Sequence, residues 1–194
     1  LNLEIIKFLS KSKKAMPHLH IPLQSGSNKV LKSMKRRYSK KNYKKLIETI
    51  RIYIPNICIG VDVIVGYPNE SEVLFDETYD FIKKLDISYL HVFSYSDRDN
   101  TISSKMASIV TNSQKIKRRK LLRKLSNDKY NNYINKNINQ IKEVLFENYS
   151  EGMLEGLTDD YIRVYAPGNN NLVNSIKKVK ILKNNLHTYG QIIN

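Results

Sequence analysis

His18-Leu19-His20-Ile21-Pro22-Leu23-Gln24-Ser25-Gly26-Ser27 reads as a short strand that runs without a break into a polar turn. Ile21 and Leu23 alternate with smaller or polar neighbours. Gly26 permits backbone geometry that other residues resist, and Ser27 is a good N-cap for the helical run opening at Asn28. A strand tip that presents an amide and hydroxyls just before a helix start is where α/β proteins bind ligands.

The pattern outward from this stretch alternates. Val30, Leu31 and Met34 predict a helix from residue 28. A second helix follows Ser39, with Tyr43, Leu46, Ile47 and Ile50 on one face and Pro55 at its end. Residues 57–65 form a β-branched run with few polar breaks, as expected of a strand buried on both faces. The turn Gly66-Tyr67-Pro68-Asn69-Glu70 leads into a helix over 71–85, with Leu74, Phe75, Thr78, Phe81, Ile82 and Leu85 on its apolar side. A third strand covers 89–95, a polar turn 94–101, and a basic helix 113–132 with Ile116, Leu121, Leu122 and Leu125 inside. Strand–helix alternation with short links predicts an α/β fold on a parallel sheet, about half a barrel. Its functional loops are then 24–27, 66–70 and 94–101, at the strand C-termini.

From residue 141 the reading changes. Short strands over 141–146, 161–165, 176–181 and 188–193 are separated by Gly152, Gly156, Pro167-Gly168 and Asn-rich turns, which predicts a small antiparallel barrel or sandwich. The expected domains are therefore 1–132 and 133–194.

Bulk properties narrow the partners. The 194 residues carry a net charge of +15. Residues 1–132 hold 26 basic and 12 acidic side chains (net +14), and 133–194 hold 7 and 6 (net +1). A regional excess favours an anionic partner such as RNA, although abundant Lys, Asn and Ile also suit a composition bias without function. One cysteine excludes an internal disulfide and suggests a reducing compartment. No apolar run is long enough to span a membrane and no signal-peptide pattern is present, so a cytoplasmic, membrane-free location is expected. Leu1 falls inside an amphipathic pattern (Leu3, Ile5, Ile6, Phe8, Leu9), as expected of part of a longer chain. No Ser–His–Asp order or phosphate-binding Gly-Lys loop is present. His18, His20, His91 and His187 show no metal-ligand spacing, so no metal site is expected.

Several ordered motifs resemble one family. Gln24-Ser25-Gly26-Ser27 with Val30-Leu31-Lys32, Met34, Arg36 and Tyr38, then 62–70, then Leu90-His91-Val92-Phe93 through Thr101, are similar to the radical S-adenosylmethionine methylthiotransferases. The tail, with Val144-Leu145-Phe146-Glu147 and 156–164, resembles a TRAM domain, an OB-like RNA-binding barrel. The resemblance implies the C-terminal half of a partial (βα)6 barrel followed by TRAM. It also implies two 4Fe–4S clusters in the complete enzyme, radical cleavage of S-adenosylmethionine, and methylthio transfer to tRNA. The Cys-x3-Cys-x2-Cys ligands of one cluster, and the ligands of the second in an N-terminal domain, are absent from this chain, where Cys58 stands alone, so the chain by itself is expected to be inactive and to need the rest of the enzyme. His91-Val92-Phe93 points to the branch that modifies C2 of N6-threonylcarbamoyladenosine beside the anticodon. The N6-isopentenyladenosine branch and a cluster-free RNA-binding module are the alternatives. Asn69 and Asn100 stand where many relatives carry Gly, and Ser94 where many carry Pro.

With the resemblance, the candidate cofactor contacts are Gln24, Ser25, Arg36, Asp62, Tyr95 and Ser96; strand-tip position, helix charge and strand alternation make Arg98, Lys117, Arg118, Tyr161 and Arg163 the candidate RNA contacts. Each has a plainer reading. Gln24 and Ser25 also suit an ordinary polar turn. Asp62, a carboxylate in an apolar strand, faces either the barrel interior or a partner such as Arg36. Arg36 could be a solvated member of Lys35-Arg36-Arg37, and Glu70 a support for the following helix start. Tyr95, Ser96 and Arg98 also suit loop capping, and the residues around Lys117 a solvated helix face. Tyr161 and Arg163 would share one strand face, suited to stacking and phosphate binding or to ordinary strand pairing.

Overall fold

The computed structural model describes residues 1–97, 99, 101, 103–184 and 187–193. Its first part runs α1 (Leu3–Lys11), β1 (His18–His20), α2 (Asn28–Ser33), α3 (Lys40–Tyr53), β2 (Cys58–Val65), α4 (Glu72–Lys84), β3 (Tyr89–Ser94) and α5 (Asn112–Asn135). The helix starts follow capping chemistry: the Ser39 and Ser71 hydroxyls accept from the Asn42 and Leu74 N–H groups, and Thr111 with Gln114 closes a capping box.

The three strands pair in parallel in the order β1-β2-β3. Side-chain alternation then divides the faces. Ile59, Val61, Val63 and Val65 of β2 and Leu90 and Val92 of β3 bury against Ile47 and Ile50 of α3, Phe75 and Ile82 of α4, and Leu122 and Leu125 of α5. The other face carries His18, His20, Cys58, Gly60, Asp62, Ile64, Tyr89, His91 and Phe93. β2 is therefore buried on both faces only as far as Val61; Asp62 and Ile64 are half-buried.

The second part is a closed five-stranded barrel, β4 (Ile141–Ser150), β5 (Met153–Thr158), β6 (Arg163–Pro167), β7 (Ile176–Asn184) and β8 (Thr188–Ile192), in the order β4-β5-β6-β8-β7. The expected antiparallel barrel needs one amendment, because β6 and β8 pair in parallel. Strands cannot alternate direction all the way round an odd-numbered ring. β5, unanticipated in the sequence, occupies the span where Gly152 and Gly156 suggested turns. Gly156 stands mid-strand because a Cβ there would lie 2.3 Å from the Leu145 carbonyl oxygen.

α5 keeps half of its expected inward face, since Leu122 and Leu125 are buried, and differs in the rest. Ile116 and Leu121 are 47% and 41% exposed, whereas Arg118 and Ser126 are buried. The Ser126 hydroxyl accepts from the Leu90 N–H (2.8 Å) and donates to its carbonyl (3.0 Å), clipping α5 to β3. α5 also runs past the expected boundary, and Tyr133 and Ile134 in its last turn join a core of Cys58, Val144, Phe146, Leu154, Ile162 and Val164. The barrel thus closes over the N-terminal ends of the parallel strands and leaves their C-terminal loops free.

Candidate functional site

Three loops meet at the C-terminal end of the sheet. In the first, Gln24 takes a left-handed backbone (φ 68°), which is costly for a residue with a Cβ. It is held there because its N–H donates to the Asp62 carbonyl (2.8 Å) and its carbonyl accepts from Ile64 N–H (2.9 Å). The strained residue is Gln24, not Gly26. Gly26 is needed for a different reason: a Cβ would lie 2.9 Å from Thr78 Cα, so α4 rests on the turn. Ser25 is fully buried on that side, its hydroxyl 3.1 Å from the Thr78 hydroxyl and accepting from Ser27 N–H at 3.1 Å. Ser25 builds the turn from behind. Ser27 takes the N-cap position of α2 without a side-chain cap bond.

In the second loop Glu70 is buried and accepts from Gly66 N–H at 2.7 Å and from Arg118 Nη1 at 3.0 Å. Arg118 also donates to the Glu70 carbonyl and to Glu72 Oε2, both at 2.8 Å, and lies over the Phe75 ring. Burial pushes the Glu70 carboxyl up, and the Gly66 N–H and Arg118 oppose that rise. Two expectations change. Glu70 clamps the loop closed and leaves the capping of α4 to Ser71. Arg118 offers no surface to RNA, because its guanidinium lies inside, paired with Glu70. Asn69 is not in the left-handed region, so the turn does not need glycine there.

The third loop leaves β3 at Tyr95, whose N–H donates to the Val65 carbonyl (2.8 Å) and whose ring meets Tyr67 edge-on at 5.3 Å. Exposed Arg36, with Met34, Ile64, Tyr67 and Tyr95, lines a cavity of about 280 Å³. Of the expected cofactor contacts, Arg36 and Tyr95 thus share one cavity, and Gln24 forms the neighbouring strand tip, bridged to Val63. Ser96 is exposed beyond them. Asp62 lies on the open sheet face, paired with His20 at 2.7 Å and not with Arg36. Arg98 and Asn100 lie outside the described residues.

A second cavity, about 250 Å³, sits at the opposite end of the sheet beside Arg51, Asp86, Lys129 and Tyr133. Two of the cations that line it are engaged: Arg51 donates to the Pro55, Ile57 and Asp86 carbonyls, and Lys129 to those of Lys83 and Leu85.

Among the other expected RNA contacts, Lys117 is exposed on α5. Arg163 opens β6 in an ion pair with Glu155. Tyr161 precedes that strand in a left-handed turn (φ 66°) and stacks on His18 at 4.4 Å. The shared strand face expected for Tyr161 and Arg163 therefore does not form, because the turn at 159–162 rotates Tyr161 towards the parallel sheet.

The open sheet face holds residues that spacing along the sequence did not connect. His18 Nε2 and the Tyr89 hydroxyl are 2.8 Å apart, and Tyr89 lies across Gly60, where a Cβ would come within 2.3 Å of its ring. Burial, with the neighbouring His20 charge, lowers the His18 pKa, and burial pushes the Tyr89 hydroxyl up to about 12. His20, Asp62 and His91 cluster one step further along. The available signal was period-2 alternation, His18/His20 and Tyr89/His91, but the register that joins the strands is not written in any one of them.

Comparison with known proteins places these features in a family. Residues 1–82 match the Radical SAM superfamily. The chain is 39% identical over 185 residues to the threonylcarbamoyladenosine tRNA methylthiotransferase MtaB of Bacillus subtilis, covering 93% of this chain and 41% of that protein. It is 39% identical over 165 residues to the MtaB of Aquifex aeolicus, 85% of this chain and 39% of that one. It is 30% identical over 191 residues to the tRNA-2-methylthio-N(6)-dimethylallyladenosine synthase of Endomicrobium trichonymphae, 98% of this chain and 46% of that one. The chain spans about two-fifths of the length of the first two relatives. A parallel sheet with polar loops at its strand C-termini, a closed five-stranded barrel behind it, and similarity that runs through both place this chain in the radical S-adenosylmethionine methylthiotransferase family.

Proposed function

We propose that this chain is part of a tRNA methylthiotransferase acting at C2 of N6-threonylcarbamoyladenosine next to the anticodon. The observation that carries the reading is the 39% identity, over 93% of the chain, to a relative with that named activity. His91-Val92-Phe93 in β3 supports the same branch.

The family implies S-adenosylmethionine, and residues at the strand C-termini fit it. The Tyr95 hydroxyl, on a residue that lines the Arg36 cavity, is buried without a hydrogen-bond partner among the described residues, as a polar group awaiting a polar ligand would be. Bound there, the cofactor would supply the radical and the methyl group. Gln24 and Tyr95 would shape its pocket, Arg36 would hold its carboxylate, and buried Glu70 would keep the loop closed against water. An iron–sulfur cluster does not fit this chain's own residues. Cys58 is its one cysteine, and burial pushes that thiol up to about 11, away from the thiolate that iron needs.

The small barrel would act as a TRAM-like RNA grip on the anticodon stem-loop, with Arg163 of β6 meeting phosphates, and Lys117 of α5 would add a phosphate contact outside the barrel. The protein would work in the cytoplasm; no helix among the described residues is long and apolar enough to cross a membrane.

The test is mass spectrometry of tRNA nucleosides from cells with and without the full-length gene. Loss of 2-methylthio-N6-threonylcarbamoyladenosine on deletion, and its return with the gene, is the expected result. Loss of the isopentenyl analogue instead would move the protein to the other branch. If neither changes, the chain belongs to an RNA-binding module without chemistry.

A further inference from the structure

The open face of the sheet carries a constellation separate from the loops at its C-terminal end. His20, Asp62 and His91 come from three adjacent strands. Asp62 and His91 are direct register partners, and His20 pairs with Gly60 one step below. One ligand atom from each lies within 4.8 Å of the other two. His20 Nε2 is 2.7 Å and His91 Nδ1 3.6 Å from the same oxygen, Asp62 Oδ1, and the two imidazole rings are 4.9 Å apart.

A plain hydrogen bond accounts for His20 and Asp62. It does not extend to His91, whose Nδ1 lies 3.6 Å from the same oxygen, beyond hydrogen-bond range. Two imidazole nitrogens converging on one carboxylate oxygen is an arrangement that a cation completes. With metal–ligand bonds of about 2.0–2.2 Å, two ligands on one ion sit about 3–3.5 Å apart. The His91–Asp62 distance is already close to that, and His20 need withdraw by less than about 1 Å. The backbone supports the geometry, since all three residues lie in hydrogen-bonded strands. His18 is not part of the set, because its Nε2 is engaged with the Tyr89 hydroxyl.

We propose that His20, Asp62 and His91 bind a divalent first-row transition-metal ion such as Zn2+, Fe2+ or Co2+. Two imidazoles and one carboxylate on one side of an ion match the facial set that leaves further positions open. Those positions face the uncovered side of the sheet, where His91 is exposed, and an oxygen donor (water, carboxylate or phosphate) would fill them. The site contains no sulfur and does not depend on the methylthiotransferase reading.

The experiment is titration of the 194-residue chain with Co2+, followed by its visible d–d absorption and by displacement with Zn2+. Saturable binding of a single Co2+, without thiolate charge-transfer bands, is expected. His91→Ala should weaken it by at least about tenfold, by analogy with the 10–100-fold effects of supporting residues at metal sites. Asp62→Asn should do the same, and His187→Ala should leave it unchanged. Circular dichroism checks that each variant folds; should Asp62→Asn unfold, the exposed His91→Ala decides. The proposal is overturned if the unchanged chain binds no Co2+ saturably, or if folded His91→Ala binds it as tightly. Loss of binding in His187→Ala alone would equally overturn it, placing the ion on the barrel.

Discussion

Arg118 and Glu70 form an ion pair almost out of solvent, their side chains 2% and 0% exposed. Such a pair adds little net stability, but breaking it is costly because one charge is left buried. Arg118→Met should therefore lower stability by about 3–5 kcal/mol at neutral pH. The pH dependence follows from Glu70. Its carboxyl is already held above its ordinary value, burial being the largest cause, with the Gly66 N–H and Arg118 opposing and Glu72 adding to the rise. Removing Arg118 raises it further. The native state then binds a proton that the unfolded state has lost, so stability falls as pH rises above the ordinary carboxylate range. The deficit of Arg118→Met should thus shrink between neutral pH and pH 5, as urea denaturation at both values would read. A deficit independent of pH would mean that Glu70 is not left charged. Lost packing on Phe75 would then be the main effect.

The parallel sheet is shaped by Gly60 as much as by its branched residues. Tyr89 can lie over β2 and reach His18 only because Gly60 has no side chain in its way. Gly60→Ala should cost about 1–3 kcal/mol by overpacking. Tyr89→Ala removes the obstacle, so the double variant should be more stable than the sum of the single effects by at least about 0.5 kcal/mol in a denaturation cycle. Strict additivity would mean that the ring does not rest on Gly60. The elements themselves were largely legible, because caps such as Ser39 and Ser71 and the β-branched run of β2 are local signals. β5 was not, since Gly156 reads as a turn until the approach of Leu145 is known. The inward face of α5 was read correctly at Leu122 and Leu125 but not at Ile116 and Leu121, which hydrophobicity favoured, while pairing with Glu70 and Leu90 buries Arg118 and Ser126. The loops of the candidate site were legible as strand ends. The meeting of His20, Asp62 and His91 was not, because it depends on register between strands 42 and 29 residues apart.

At the scale of the whole molecule, the sheet and the barrel are joined by a few buried groups. Asp160, fully buried, accepts from the Tyr133 hydroxyl (2.6 Å), from Lys142 Nζ (2.6 Å) and from the Thr158 hydroxyl. Tyr133 belongs to α5, its hydroxyl is also 3.2 Å from the Asn56 carbonyl just before β2, and Cys58 of β2 lies in the barrel's core. Asp160 therefore ties the barrel to the helix and to the N-terminal end of the sheet at once. Asp160→Asn removes the negative charge that Lys142 and Tyr133 share, at a cost of about 3 kcal/mol. Each part retains a core of its own, Val144, Phe146, Leu154, Val164 and Ile181 in the barrel and the β2–α4 layer in the sheet. Amide exchange should accordingly show barrel strands and the last turn of α5 losing protection by about that amount, while β2 and β3 keep theirs. An equal loss in β2 and β3 would contradict this and show that the two cores unfold as one. The barrel would then be a structural support of the sheet, not a separately folding arm behind it.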